Sequence, residues 1–162
     1  MMAERRKTRR LMVGKVAVGG DAPLSVQTMA KADPHDAEAL RRQIVAAADL
    51  GCDIMRLAVP DQKAAAVFKE VRRESPLPLV ADVHFDYRLA LAALGAGADG
   101  LRINPGNIGG SGKVKAVVAA ARERMVPIRI GVNGGSLERD ILEKHGAATA
   151  EALVERDRKS VV

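Results

Sequence analysis

Apolar segments with the character of β-strands alternate along the chain with segments that have helical periodicity. The strand-like segments are LSVQTM (24–29), CDIMRLAV (52–59), PLVADVHF (78–85), DGLRIN (99–104) and VPIRIGVN (126–133). Apolar residues recur at intervals of three and four in the segments between them, which are 36–50, 61–74, 87–95, 113–124 and a last one from about 137. Repeated units of one strand and one helix predict a parallel sheet in an α/β fold.

Two architectures contain such repeats: an open, doubly wound sheet and a closed (β/α)8 barrel. Neighbouring residues of a strand point to opposite faces of the sheet. One face of each strand is apolar here, as in the pair Met55 and Leu57 or in the set Leu79, Ala81, Val83 and Phe85. The opposite faces carry polar residues toward the carboxyl ends of the strands, namely Gln27, Arg56, Asp82, His84, Arg102, Asn104, Arg129 and Asn133.

These polar residues favour the barrel. Helices on both faces of an open sheet would bury them, at a cost on the order of several kcal/mol for each poorly paired charge. In a barrel they face the interior and converge at the carboxyl-end mouth, where barrel enzymes keep their active sites. At about 26 residues per unit, the 162 residues hold roughly five of the eight units. The sequence therefore predicts an incomplete TIM barrel over 24–162, after a basic arm and lead-in segment over 1–23.

Three arginines, Arg56, Arg102 and Arg129, are directed at one place in this barrel. Guanidinium groups stay ionised and suit bidentate contact with phosphate oxygens, so three of them together indicate an anion with more than one charge. A single arginine could instead form a structural ion pair with Asp82, but Asp82 is the only acid in the set. The sequence therefore favours an anion site at the mouth.

His84 follows Asp82 by two residues on the same strand face. A lone histidine in such a place is more often a satisfied core residue than a catalyst, whereas this pair has the spacing of an oriented general acid/base. Two glycine-rich loops, NPGNIGG (104–110) and GVNGGS (131–136), follow strands of the set. They are either simple turns or sources of backbone N–H groups for a phosphate.

The net charge of +6 raises the question of a nucleic-acid partner. Residues 1–15 hold six basic side chains and one acidic one, whereas the other 147 residues hold 20 basic and 19 acidic ones. The surplus thus belongs to the arm, which is typically solvated, and three aromatic residues give bases little to stack on. We expect no nucleic-acid partner, and no membrane partner because no run of about 18 apolar residues occurs. The single cysteine, Cys52, allows no internal disulfide and indicates the cytoplasm.

The segments SVQTM, DIMRLAVP, VADVHFDYRLAL, LRINPGNIG and PIRIGVNGGSLERD, in this order, closely resemble the 4-hydroxy-3-methylbut-2-enyl diphosphate synthase family over about residues 11–154. The resemblance implies a (β/α)8 domain related in shape to dihydropteroate synthase, followed by a smaller domain with a [4Fe–4S] cluster. Such enzymes reduce 2-C-methyl-D-erythritol 2,4-cyclodiphosphate in the non-mevalonate route to isoprenoids. Their two electrons come from flavodoxin or ferredoxin, and the two-domain bacterial form is a homodimer.

The resemblance also implies residue roles. In the family, arginines at the positions of Arg56, Arg102 and Arg129 grip the diphosphate, an asparagine at Asn133 assists them, and the histidine at His84 lies close to the substrate. The inward-facing set adds further expected site residues: Gln27 and Asn104 for binding, and Asp82 as the catalytic partner of His84.

The sequence departs from the family in two places. The family usually shows Thr and Asn after its first strand, where this chain has AKAD (30–33), so Lys31 is the candidate substitute for their contacts. The family's cluster ligands, three cysteines and a glutamate, have no counterpart here, and the tail RDRKSVV leaves the family pattern. We expect a substrate-binding barrel fragment of an iron–sulfur oxidoreductase, inactive by itself and with no metal ligands of its own. The alternatives are another phosphate-binding barrel enzyme of the pterin-binding type and a non-catalytic fragment.

Overall fold

The structure is a computed structural model and describes residues 8–160. The described residues form seven strands, Leu11–Val13 (β1), Val16–Val18 (β2), Gln27–Met29 (β3), Ile54–Ala58 (β4), Leu79–Val83 (β5), Gly100–Ile103 (β6) and Ile128–Ile130 (β7). They also form the helices Ala37–Asp49 (α1), Gln62–Glu74 (α2), Tyr87–Gly95 (α3), Pro105–Ile108 (α4), Ser111–Glu123 (α5), Arg139–His145 (α6) and Ala150–Ser160 (α7).

The main sheet contains β3 to β7, which are parallel and lie side by side in chain order. Helices α1, α2, α3 and α5 each follow one of the first four of these strands. This arrangement confirms the predicted repeat of strand and helix and the incomplete barrel. Among the described residues the sheet does not close on itself, which agrees with five units of an eight-unit architecture.

Aspartates start the first three of these helices. The carboxylates of Asp36, Asp61 and Asp86 each accept a backbone N–H of the first helical turn at 2.9 Å. Such a cap satisfies one of the N–H groups that a helix leaves without a partner at its start. Because each of these helices follows a parallel strand, the caps fix the loops at the carboxyl end of the sheet, where the polar residues gather.

The apolar strand faces pack against the helices, as the alternation predicts. Met55, Leu57 and Leu101 are at most 2% exposed and belong to one core with Phe68 and Val71 of α2. Leu79, Ala81, Val83 and Ile103 lie in the same core. The alternation of apolar and polar residues therefore assigns the two faces of the central strands correctly.

Phe85 is the exception to this alternation. The prediction placed it with Leu79, Ala81 and Val83, but its side chain is 73% exposed. The reason is that β5 ends at Val83 and the chain bends at Phe85, so strand alternation no longer governs the direction of this side chain.

An antiparallel hairpin of β1 and β2 lies within the lead-in segment and was not predicted. Its turn residue Gly14 has a φ of 55°, and a Cβ there would lie 2.8 Å from a carboxylate oxygen of Asp99. The neighbouring Lys15 donates from Nζ to the carbonyl of Pro76 at 3.1 Å. Asp99 directly precedes β6, so the hairpin sits at the amino end of the sheet, opposite the polar residues. The first seven residues of the basic arm lie outside the described residues.

The outer strands and the last helical segment differ from their predicted bounds. β3 and β7 each have three residues, fewer than the predicted 24–29 and 126–133, because each has a neighbouring strand on one side only. The segment from 137 divides into α6 and α7, since Gly146 adopts a left-handed conformation that ends α6. Their small core of Leu137, Ile141 and Ala152 is separate from the main core.

Candidate anion-binding site

Strand pairing places charged residues next to each other on the side of the sheet away from the helices. Asp82 on β5 is the direct partner of Arg102 on β6, and Arg102 is the direct partner of Arg129 on β7. Opposite charges directly across from each other stabilise a sheet, and like charges destabilise it. This row thus holds one favourable pair, Asp82 with Arg102, and one repulsive pair, Arg102 with Arg129. An anion bound between the two arginines would relieve their repulsion.

Asp82 is the centre of the row, and its side chain is 3% exposed. Arg102 donates from Nη1 to Oδ1 of Asp82 at 3.1 Å. The Nε of Arg56 lies 3.3 Å from Oδ2 of Asp82 but makes no hydrogen bond among the described residues, so this contact is an ion pair only. The two guanidinium groups offset the cost of burying the carboxylate.

Arg129 and Gln27 connect the two outer strands of the sheet. Nη1 of Arg129 on β7 donates to Oε1 of Gln27 on β3 at 3.3 Å. In a flat sheet, four strand spacings of about 4.8 Å would hold these strands roughly 19 Å apart, too far for the two side chains to meet. The sheet is therefore curved, and both side chains lie on its concave side, as a barrel requires.

The concave side carries more positive than negative charge. Arg56, Arg102 and Arg129 supply three positive charges and Asp82 supplies one negative charge, so the surplus is two. The side chains of Arg102 and Arg56 are only 18% and 26% exposed, so water screens them less than it screens surface charges. A partly desolvated surplus of this size favours a ligand with at least two negative charges.

His84 joins this cluster through one ring nitrogen. Its Nε2 lies 3.3 Å from Oδ1 of Asp82 and 3.3 Å from Nη1 of Arg102. A protonated Nε2 donates to the carboxylate, and a deprotonated Nε2 accepts from the guanidinium. The ring can therefore exchange a proton at Nε2 while it keeps a partner in the cluster. The side chain is 49% exposed, so a bound ligand can reach it.

Asn104 directly follows β6 and caps α4. Its Oδ1 accepts the backbone N–H of Gly106 at 3.1 Å, so NPGN forms a helical turn with Pro105 in its first position. The residue is 2% exposed, and its Nδ2 is buried without a hydrogen-bond partner among the described residues. A buried amide donor without a partner costs free energy unless a ligand or water accepts from it.

The sequence-predicted site residues fall into three groups. Arg56, Asp82, His84 and Arg102 are connected by direct contacts, and Arg129 and Gln27 form a second connected pair. Asn104 and Asn133 follow the ends of their strands. Asn133 is exposed, because β7 already ends at Ile130 and a 3-10 turn over Gly134–Ser136 comes next.

Two residues of the site were missed by the sequence reasoning. Met29 is the strand partner of Arg56, and its Sδ lies 3.2 Å from Nη2 of that arginine. At Gly131 an added Cβ would collide with the guanidinium of Arg102, so only glycine lets that group lie where it does. Met29 and Gly131 each lie two residues after an inward-facing residue of the same strand segment, so the alternation of side chains could have identified both.

The described residues contain no group of three or more His, Cys, Asp or Glu side chains that could hold a metal ion. The Sγ of Cys52 lies 3.4 Å from the carbonyl oxygen of Val26 and 3.1 Å from that of Ile54. Cys52 precedes β4 and so lies at the end of the sheet opposite the charged cluster. No helix among the described residues is long and apolar enough to cross a membrane.

Comparison with known proteins identifies the family. Residues 8–162 match the model of the GcpE TIM-barrel domain. The chain belongs to this family. The match covers every strand of the main sheet and every charged residue of the cluster, so the family assignment and the geometry concern the same part of the molecule.

Curated relatives give the same result. The chain is 58% identical over 154 residues to the 4-hydroxy-3-methylbut-2-en-1-yl diphosphate synthase (flavodoxin) of Maridesulfovibrio salexigens, covering 95% of this chain and 43% of that protein. It is 60% identical over 149 residues to the enzyme of the same name from Geobacter sulfurreducens, covering 92% of this chain and 42% of that protein. A relative of the same name from Symbiobacterium thermophilum is 57% identical over 160 residues, which cover 99% of this chain and 43% of that protein. The chain thus spans less than half the length of these relatives, all of which carry the name of an enzyme.

Proposed function

We propose that the chain is the substrate-binding barrel part of a 4-hydroxy-3-methylbut-2-enyl diphosphate synthase, with 2-C-methyl-D-erythritol 2,4-cyclodiphosphate as its substrate. The observation that carries this proposal is the convergence of Arg56, Arg102 and Arg129 on the concave side of the sheet, where Asp82 pairs with the first two. A cyclic diphosphate supplies the two negative charges that this surplus favours. The names of the relatives give the product of such a reaction, 4-hydroxy-3-methylbut-2-en-1-yl diphosphate, which also carries a diphosphate.

The binding residues have separate parts to play. Arg102 and Arg129 are adjacent in the sheet, so one diphosphate placed between them accepts hydrogen bonds from both and relieves their repulsion. Nδ2 of Asn104, which has no hydrogen-bond partner among the described residues, donates to a ligand oxygen in this proposal. Gln27 holds Arg129 from the opposite strand, and Asn133 extends the site along the loop after β7.

His84 and Asp82 are the proposed acid/base pair. Asp82 accepts from Nε2 when that atom carries a proton, and Arg102 donates to it when the proton has left. His84 therefore can give a proton to a leaving hydroxyl, which departs as water, without losing its position. Asp82, held between two guanidinium groups, orients the ring.

The described residues do not provide ligands for the [4Fe–4S] cluster that the resemblance implies. A [4Fe–4S] cluster requires several thiolate ligands, and the chain has only Cys52, at the end of the sheet away from the cluster of arginines. We therefore propose that the ligands of an iron–sulfur cluster, the flavodoxin contact and the homodimer contacts belong to the remaining part of the whole protein. By itself the chain is then a binding unit without turnover.

The test is a hybrid protein in which this chain replaces the matching segment of the Geobacter sulfurreducens relative. With its cluster loaded and reduced flavodoxin supplied, the hybrid is expected to form 4-hydroxy-3-methylbut-2-enyl diphosphate. The unmodified relative is the control. A hybrid that shows the absorption of a loaded cluster and binds flavodoxin, yet neither binds nor converts the cyclodiphosphate, would contradict the proposal.

A further inference from the structure

His35 lies between two carboxylates at the carboxyl end of the sheet. Its Nδ1 is 2.8 Å from Oδ1 of Asp33, and its Nε2 is 2.9 Å from Oδ2 of Asp61. Asp33 belongs with His35 to the loop between β3 and α1, whereas Asp61 caps α2 by accepting the backbone N–H of Ala64. The imidazole thus connects two loops that leave neighbouring strands of the barrel.

The geometry determines the charge of this ring. An ionised carboxylate only accepts hydrogen bonds, and a neutral imidazole has one N–H to donate. Two contacts below 3 Å to two carboxylates therefore require both ring nitrogens to carry a proton, which makes His35 an imidazolium. The connection between the loops exists in this form only while the ring is charged.

The pKa shifts of His35, Asp33 and Asp61 agree with an imidazolium at His35. Hydrogen bonds to Asp61 and then to Asp33 raise the pKa of His35 above its usual 6.5. The backbone N–H of His35 lowers the pKa of Asp33, and that of Ala64 lowers the pKa of Asp61. The connection is therefore complete below pH 6.5 and is lost as pH rises through the elevated pKa of His35.

The loop that His35 holds begins next to an arginine of the anion site. The backbone N–H of Ala30 donates to the carbonyl of Arg56 at 3.0 Å, directly after Met29, whose sulfur contacts the Arg56 guanidinium. Farther along, Gln43 of α1 accepts the backbone N–H groups of Lys31 and Ala32 at 2.9 and 3.2 Å. The loop is thus fixed from α1 by an uncharged contact and from α2 by His35, and both fix its position beside Arg56.

Loss of the proton also changes the local charge at the mouth. The charged groups on the elements around the ring are Lys31 and Asp33 on the loop, Asp36 and Glu38 at the start of α1, and Asp61 and Lys63 at the start of α2. Of these, Asp33 and Asp61 are in contact with the ring. The imidazolium and its two carboxylates carry a net charge of minus one, which becomes minus two when the ring is neutral. The added negative charge opposes anion binding nearby.

We propose that His35 is a positioning residue that, as an imidazolium between Asp33 and Asp61, fixes the β3–α1 loop beside Arg56 and makes anion binding weaken when the ring loses its proton. The inference rests on the proposed anion site, but the protonation of His35 does not. His35 itself need not touch the ligand. Its loss of charge loosens the loop and adds negative charge, and both effects lower the affinity.

The first measurement is a magnetic-resonance titration of the histidine rings in the full chain. His35 is expected to titrate above 6.5, the pKa of an isolated histidine. Asp61→Asn, which keeps an oxygen for the helix cap but removes the charge, is expected to lower that value. A His35 that titrates at or below 6.5 would overturn the proposal whether or not the site binds anions.

The second measurement is the affinity for sulfate between pH 6 and 9, since sulfate keeps its charge over this range. Affinity in the unchanged chain is expected to fall with pH, and His35→Lys, which stays cationic, is expected to retain on the order of fivefold more affinity at pH 9. His35→Gln is expected to bind weakly at both ends of the range. His145→Gln is the matched control, because His145 also contacts a carboxylate, Glu155 at 2.9 Å, but lies on α6.

The outcomes separate the inference from the anion site itself. His84 is present in every variant, so only the difference between the unchanged chain and His35→Lys reports on His35. Identical pH profiles for these two proteins, with amide spectra that show both folded, would refute the role of His35. Sulfate binding that is absent in all variants at every pH would count against the anion site and the inference together.

Discussion

Replacement of Arg102 is the sharpest perturbation of the proposed site. Its guanidinium donates to Asp82, contacts His84, lies over Gly131 and is 18% exposed. Arg102→Ala lowers the positive surplus of the cluster from two to one. Asp82 keeps Arg56 as a partner, so the carboxylate is not left buried without a positive charge.

The magnitude follows from the charge that is lost. A guanidinium and one phosphate charge about 5 Å apart interact by roughly 3 kcal/mol at an effective dielectric constant near 20. Lost hydrogen bonds add to this value and the lower desolvation cost subtracts from it, so we expect a loss of about 2–4 kcal/mol. The dissociation constant of the cyclodiphosphate should rise roughly 30- to 1,000-fold. Arg102→Lys keeps the charge but loses the planar guanidinium group. Its dissociation constant should lie between those of the unchanged chain and Arg102→Ala.

Calorimetric titration of the cyclodiphosphate is the assay, with Arg42→Ala as the matched control. Arg42 is exposed on α1, on the helix side of the sheet. Arg72 would be a poorer control, because its guanidinium pairs with Asp99 at 2.7 Å and anchors the amino end of the barrel. Equal losses of affinity in Arg102→Ala and Arg42→Ala, with both variants folded by circular dichroism, would refute the anion site.

Three further expectations follow from the geometry. Gly131→Ala should displace the Arg102 guanidinium and weaken sulfate binding by on the order of tenfold. Gly110→Ala, where an added Cβ meets open space, should leave sulfate affinity unchanged. Equal sulfate affinities of the two variants would contradict the close approach of Arg102 to Gly131. Gly14→Ala should lower the free energy of unfolding in urea by about 1–3 kcal/mol. Gly51→Ala should lower it by less, because Gly51 also has a positive φ but an added Cβ there contacts no other atom within 4 Å. The purified chain, reconstituted anaerobically with iron and sulfide, should form no product with a reduced donor; product above that of a Cys52→Ala control would show that it assembles a redox centre.

The unpaired outer strands are a further source of testable behaviour. β3 and β7 each expose one edge in the described part of the chain. Exposed strand edges favour association. The purified chain should therefore self-associate or bind a hydrophobic dye, and a monodisperse monomer with a sharp cooperative melt would show that its edges are protected.

The sequence was most informative in the central strands. β4, β5 and β6 have neighbours on both sides, so their alternation continues undisturbed, and it correctly separates Met55 and Leu57 from Arg56. The helices were also predictable, because an aspartate such as Asp86 marks the start and α3 has the bounds of its apolar period. Strand alternation and helix capping therefore predict the structure correctly within uninterrupted strands and helices.

The failures occur where the strands end. Phe85, two residues beyond the end of β5, does not follow the alternation, whereas His84 directly after β5 still does. Asn133 lies three residues beyond β7 and is exposed, and its role in the site stays a prediction. The hairpin of β1 and β2 did have a signal, since two apolar triplets flank the two residues Gly14 and Lys15. The contact of Arg129 with Gln27 had none, because it depends on the curvature of the whole sheet.

The position of Asp82 explains how an anion site can be built before its ligand arrives. Three guanidinium groups share this side of the sheet, two of them partly buried and that of Arg129 exposed. They repel one another, and without a counter-charge they would turn toward water. Asp82 holds two of them, Arg56 and Arg102, on the concave side, and Gln27 holds the third. A second acid would lower the positive surplus from two to one and weaken the affinity for a doubly charged ligand, whereas a cluster without Asp82 would have to be ordered at the moment of binding. One carboxylate for three arginines leaves the site both ordered and attractive to a doubly charged ligand.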